Sequence, residues 1–388
     1  MAEIPQVSKS NAIKTALISI LTPSFIIIAI STFFIWVFLY RIGRQDIFLQ
    51  IISFKEILNF VAVYSIISIL LFCSVFYIPS IIPPLIFHTE LKNYSDYKKI
   101  ERGYTLALAL SSLIAAAIFW GGAYYLTKIE IAIGKQSVAP VFFIINTVIC
   151  VALTYLFNRK TVSLRSGLLS GCDKILFIAI ISFFKPALLG LVSCLFVFPL
   201  GLIIKTLKFP DGTGDLKEAI WLFGLTSLII ILTLIPLMVF SGLKTGLLKR
   251  LTAFLSSILI TLALTSSLLP IIPVMIINMT MKLSGVMDLT MYRYAVPAEK
   301  YPAEMFAGEK WFFSESNDKK FHTFEGVNLF TLGDISLICP KNIPAILKES
   351  MNYQLGDKEF DDGLRKKLQN STKKCIILNK DSLLKWQQ

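Results

Sequence analysis

The chain has 388 residues, of which 55% are hydrophobic and 16% charged, and its formal net charge is +13. An ordinary soluble domain is roughly 45–50% apolar and about 25% charged, so this composition excludes a free globular enzyme, a disordered chain and a small disulfide scaffold. With a mean hydropathy of +0.69, the chain reads as an α-helical polytopic membrane protein in which Lys and Arg act chiefly as orientation signals, and nucleic-acid binding is not expected.

A helical span needs about 20 apolar residues. Seven runs meet that length: about 17–40, 57–87, 104–126, 139–158, 175–204, 219–240 and 251–279. The runs are too long and too uniformly apolar for the alternating strands of a β-barrel. No small-residue cleavage site follows the first run, so it reads as an uncleaved anchor behind a cytoplasmic segment 1–16. Within the runs the one charged side chain is Lys185, and none contains Asp or Glu. The second, fifth and seventh runs are overlong and hold prolines: Pro79, Pro83 and Pro84; Pro186 and Pro199; Pro270 and Pro273. Splitting the fifth would give eight spans. The piece before Lys185 is too short to cross alone, so the fifth is read as one tilted or broken element.

Orientation follows from the short loops. With the N-terminus inside, segments 1–16, 88–103, 159–174 and 241–250 carry thirteen Lys/Arg, against eight in 41–56, 127–138 and 205–218. That excess favours a cytoplasmic N-terminus and, after seven spans, an extracytoplasmic C-terminus. Trp36, Trp120 and Trp221 all fall at run ends assigned to the outer face, where amphipathic rings favour the headgroup boundary. A bacterial inner membrane is the expected location.

Composition changes near residue 280. Residues 280–388 hold sixteen Lys/Arg and fourteen Asp/Glu, an ordinary balance for one small domain. Strand-like runs at 291–296, 311–314, 327–332, 335–339 and 375–378, punctuated by Gly and Pro, and helix-like runs at 343–350 and 358–369 predict an extracytoplasmic α+β domain. Segment 357–367 orders acids before bases, as a solvated helix start does. Cys339 and Cys375 are the two cysteines of this region; an exported domain would join them in one disulfide, the alternative being two separate thiols.

Few residues suggest chemistry. Lys185, followed by Pro186, marks a candidate intramembrane polar site, either an anion contact or gating charge or a lysine snorkelling from the end of a span. The pattern S-G-L-x-[ST]-G-x-x-K occurs at 166–174 and 241–249 and hints at duplicated hairpins. Its glycines, Gly167 and Gly171, Gly242 and Gly246, have the GxxxG spacing of close helix packing; a phosphate-binding turn or plain loop glycine are the other readings. The histidines are His88 and His322. Neither joins a metal-ligand spacing, and nothing recommends Asp334 with His322 as a hydrolase pair. The loop 209–215 reads as a turn with too few carboxylates for a calcium loop. No catalytic residue, cofactor site or metal site is expected. The expected partners are the lipid bilayer and a protein bound through residues 280–388, in an immunity, defence or assembly role. The alternative is a transporter or channel for an anionic or lipidic solute that uses Lys185 and the Pro-broken helices.

Overall fold

A computed structural model describes residues 23–386 except 52–54, 89–96, 129–137, 168, 211, 244–245, 307–310, 312, 316–319 and 355–356. The predicted segment 1–16, the start of the first run and parts of the two S-G-L repeats thus lie outside the described residues. The chain is mostly helical (73%), with six long apolar helices and a C-terminal sheet region. Those six, at Leu58–Phe76, Lys99–Gly122, Pro140–Leu164, Gly171–Gly201, Asp215–Gly242 and Leu247–Leu268, are long and apolar enough to cross a membrane.

The helices are α1 (Pro23–Ile42), α2 (Lys55–Phe76), α3 (Ile78–His88), α4 (Tyr97–Lys128), α5 (Val138–Ser166), α6 (Gly171–Ala179), α7 (Lys185–Cys194), α8 (Val197–Ile204), α9 (Asp215–Gly242), α10 (Leu247–Leu268) and α11 (Ile271–Leu283). Each overlong run is interrupted beside proline. The second divides at Tyr77, two residues before Pro79, and the seventh divides just before Ile271, after Pro270. The fifth is one broken element: α6 passes through a π turn, Ile180–Phe184, into α7 and then α8. Pro186 has no N–H to donate and its ring crowds the carbonyl four residues back. The wider turn relieves both, and the Lys185 N–H reaches back to Ile180 O.

The chain forms two compact units, residues 71–272 and residues 1–70 with 273–388. A boundary at residue 280 follows composition, whereas the second unit also takes in α1 and most of α2 and α11. In the 71–272 unit α4 packs against α5, α7 and α9, while α9 also packs against α3 and α10. Ile100, Tyr104, Cys150, Val162, Phe177, Ile181 and Leu189 form a buried cluster there.

In the other unit the sheet strands are β1 (Asp288–Pro297), β2 (Ser314–Glu315), β3 (Phe321–Leu332), β4 (Ile335–Cys339), β5 (Ile376–Asn379) and β6 (Leu384–Trp386). Their order is β5-β4-β3-β1-β6, with β2 on the free edge of β3, and the pairings are antiparallel. Gly333, at φ 61°, makes the tight β3–β4 turn. Helices α12 (Ile343–Glu349) and α13 (Lys358–Thr372) are inserted between β4 and β5. Tyr294, Phe306, Trp311, Phe324, Ile338 and Leu378 belong to the cluster at the centre of this sheet. The predicted runs 291–296, 327–332, 335–339 and 375–378 and both helices match their positions closely, whereas the strand expected at 311–314 begins only at Ser314. The additions are β6 and the first half of β3, where polar residues interrupt the apolar pattern.

Candidate functional site

Two constellations concentrate buried polar groups, one in each unit. The first is a seam through the helical unit. On α5, Asn146, Cys150, Thr154 and Asn158 recur every four residues, and all four are buried. Four-residue spacing puts them on one helix face, so the seam is a single buried stripe. Asn146 Nδ2 donates to Gly190 O at 3.1 Å, to Cys194 Sγ at 3.1 Å and to Ser193 Oγ. Its Oδ1 accepts no hydrogen bond among the described residues. Glycine permits this approach of α5 to α7: a Cβ at Gly190 would stand 2.6 Å from Thr147 Cα. At Gly103 on α4, a Cβ would overlap the Asn158 amide at 2.1 Å.

The same seam holds the π turn. Tyr104 donates its hydroxyl to Ile181 O at 2.7 Å, using a carbonyl that the widened turn exposes. Lys185 follows that turn and is buried, with 6% of its surface exposed. One end of the seam carries an ion pair that hydropathy counting missed. Arg250 Nη2 stands 2.7 Å from Glu101 Oε1, with side-chain exposures of 9% and 0%. Arg250 Nε donates to Phe240 O at 2.8 Å and its guanidinium lies 4.2 Å from that ring's centroid. Glu101 lies just outside the predicted run 104–126, on a helix that begins earlier, at Tyr97. A charge at the edge of a hydropathy window lowers the score but does not end the helix.

The second constellation is a clamp between the end of α1 and the α12–α13 pair. Arg41 Nη2 donates to Ser350 O at 3.0 Å and Ser350 Oγ at 2.9 Å, and Nη1 to Asn278 Oδ1 at 3.3 Å. Arg44 Nη1 donates to Cys375 O at 3.1 Å while its Nε and Nη2 grip the Asp46 carboxylate. This grip holds the Asp46 carboxyl below the usual carboxylate range. The Thr372 hydroxyl donates to Ile42 O, and Gln369 Nε2 to Tyr40 O at 3.1 Å. Thr372 thereby satisfies the carbonyl of Ile42, the last residue of α1, while Gln369 adds a second donor to Tyr40 O, which already takes the Gly43 N–H at 3.2 Å. Gly43, at φ 71°, turns the chain out of α1 so closely over α13 that a Cβ would meet Gln369 Cγ at 2.9 Å. Phe38 stacks on Phe330 of β3 at 6.1 Å between centroids.

Cys339 and Cys375 are joined in a disulfide. It closes the strand ends from which the α12–α13 insertion leaves and returns. Lys185 and Pro186 both fall in the buried seam. The spaced glycines lie elsewhere: a Cβ at Gly171, Gly242 or Gly246 would meet nothing within 4 Å, and one at Gly167 would meet only carbonyls of its own preceding turn. The close helix approaches run through Gly103 and Gly190 instead, where the facing residue rather than a glycine repeat is the signal. His322 is buried beside Phe306 and Phe313, at 6.4 and 5.1 Å between centroids. The side chain of His88 and residue Asp211 of the predicted turn lie outside the described residues. Among the described residues, no group of three or more His, Cys, Asp or Glu is placed to hold a metal. No protein-family model, curated protein or solved structure matches the chain.

Proposed function

We propose that the chain is an integral membrane protein that presents residues 280–388 as a fixed extracytoplasmic module to a protein partner, in an immunity, defence or assembly role. The clamp carries this reading. A domain trailing from the last helix on a loose linker would sample many orientations. This one is fastened to the first helix by Arg41, Arg44, Gln369 and Thr372, so its outer surface is held in one attitude above the membrane and the ordering cost of recognition is met in advance. The clamp also supports seven spans over eight. A domain bound to the end of α1 lies on the side where α1 emerges, so the chain between them crosses an even number of times, as the six later runs do.

Photo-crosslinking from exposed domain positions such as Lys348 or Lys358, in the full-length protein in its own membrane, tests the reading. One protein crosslinked from the domain, and not from the lipid-facing Ile144, is the expected result. Crosslinks to lipid alone from every position overturn it. Orientation is read from Cys172, the exposed free thiol: an impermeant maleimide labels it in inverted vesicles and not in intact cells, and the reverse pattern refutes the assignment.

The π turn beside Lys185 favours a second reading, an anion path through the seam, because π turns recur at functional sites and ionisable residues within apolar spans mark solute pathways. Iodide flux through liposomes containing the wild-type protein, abolished in Lys185→Met, is its signature. Equal flux in the two proteins removes it.

A further inference from the structure

We propose that the groove between the end of α1 and helix α13 binds the phosphate headgroup of an anionic phospholipid from the leaflet beneath the domain. The groove is a shallow, open depression of about 600 Å³ lined by Tyr40, Gly43, Arg44, Gln45, Asp46, Gln369 and Lys373. That volume lies within the roughly 300–1,000 Å³ of small-molecule sites.

Its depth relative to the bilayer follows from α1. Trp36 and Tyr40, one turn apart, stack at 5.6 Å on the outer surface of that helix and are 41% and 43% exposed. An exposed Trp/Tyr pair at the end of an apolar helix marks the headgroup level. Gln369 and Thr372 bond to the backbone at Tyr40 and Ile42, so the second half of α13 lies at that same level. Arg365, Gln369 and Lys373 are spaced by four and share one helix face. Arg365 stands 5.9 Å from the Tyr40 ring centroid.

The charge balance there is positive. Arg44 is matched by Asp46 and Arg365 by Asp362. Arg41 bonds to the neutral Ser350 and Asn278. Lys373 is exposed, lines the groove and makes no ion pair among the described residues. A phosphate ester on a lipid completes the set: its anion meets Lys373, the unmatched cation of the lining, its glycerol faces the Tyr40 ring, and its acyl chains lie along the exposed face of α1 below Trp36.

This inference rests on α1 spanning a bilayer, and the test separates the two ideas. Full-length protein is placed in nanodiscs of phosphatidylcholine containing phosphatidylglycerol, and retained lipid is quantified by native mass spectrometry. The wild type is expected to retain phosphatidylglycerol preferentially. A basic side chain at an anionic surface contributes about 1 kcal/mol, so Lys373→Ala lowers that preference about 5-fold and Lys373→Glu about 25-fold. Lys380→Glu, an exposed control beyond β5, leaves it unchanged. Equal retention in wild type and Lys373→Glu overturns the proposal, as does an equal loss in Lys380→Glu. Displacement of the lipid by millimolar inorganic phosphate reassigns the groove to a free anion and overturns the lipid assignment. Failure of the protein to enter nanodiscs at all defeats the membrane reading itself, a different result from entry without lipid preference.

Discussion

The Glu101–Arg250 pair offers the sharpest test of the helical unit. Arg250 lies in the first turn of α10, accepts Glu101 of α4 at 2.7 Å as its ionic partner, and donates to the carbonyl of Phe240 in the last turn of α9. One guanidinium thus ties three helices. Arg250→Ala removes the charge-assisted bond, the bond to Phe240 O and the stacking on that ring, and takes the Arg250 charge away from a carboxylate at 0% exposure. Breaking a buried pair from one side costs about 3–5 kcal/mol, whereas replacing both partners by apolar residues is often neutral. Arg250→Ala is therefore expected to destabilise the unit by about 4 kcal/mol, and Glu101→Leu with Arg250→Leu by less than half of that. Cys73, Cys150 and Cys194 are buried free thiols, so a thiol-reactive fluorophore reports opening during denaturation in detergent, after the exposed Cys172 has been blocked. An Arg250→Ala loss below about 1 kcal/mol, in the range of exposed pairs, refutes the reasoning. So does a double variant that loses the sum of the two singles.

Further substitutions probe packing and polar satisfaction. Gly190→Ala forces a Cβ to within 2.6 Å of Thr147 Cα and is expected to cost about 1–3 kcal/mol by overpacking, while Gly224→Ala, which meets nothing within 4 Å, is neutral or stabilising in the same thiol assay. The disulfide closes a 36-residue separation, so the chain-entropy relation assigns Cys375→Ser a loss of about 4 kcal/mol; thermal melting of the purified protein should show the same fall in reduced wild type, and unchanged melting contradicts it. Tyr294 is buried with no partner for its hydroxyl among the described residues, and burial pushes its phenol above the ordinary range. Tyr294→Phe should be neutral or stabilising by up to about 1 kcal/mol. Tyr104→Phe, which loses the bond to Ile181 O, should cost about 0.6–1.7 kcal/mol. The reverse ranking in paired denaturation curves refutes both assignments.

The apolar runs and the alternating strands were legible because each is a local pattern: hydropathy over twenty residues, period two over five. The cysteine pair was legible because one residue ends and the other begins a strand-like run in one domain. The ion pair was not, because Glu101 and Arg250 sit just outside windows that hydropathy closes at the first charge, and their partnership spans 149 residues. The seam left a trace that span counting averages away, namely Asn146 and Asn158 twelve residues apart inside an apolar run, with Cys150 and Thr154 between them at the same period. Pro186 did announce the break before α7, though no sequence rule distinguishes a π turn from a kink. The clamp lies beyond local pattern altogether, since its bonds to the C-terminal domain join residues more than 300 apart, as Arg41 to Ser350 and Arg44 to Cys375.

The clamp nevertheless explains an exception in the charge count. Under the proposed orientation, Arg41 and Arg44 stand on the outer side, where the positive-inside bias disfavours them, close behind the first span. A lysine pair could not replace them. Arg44 uses Nε and both terminal nitrogens at once, holding Asp46 on one edge and Cys375 O on the other, and an ammonium has no such fixed fork. Arg41 similarly spans Ser350 on α12's C-terminal side and Asn278 on α11. Under that proposal each arginine makes a position unfavourable for topology into an attachment point of the C-terminal domain. The two demands fit together because topology is set by the summed excess over all loops, thirteen against eight, and a margin of that size tolerates two charges spent on fixing the domain.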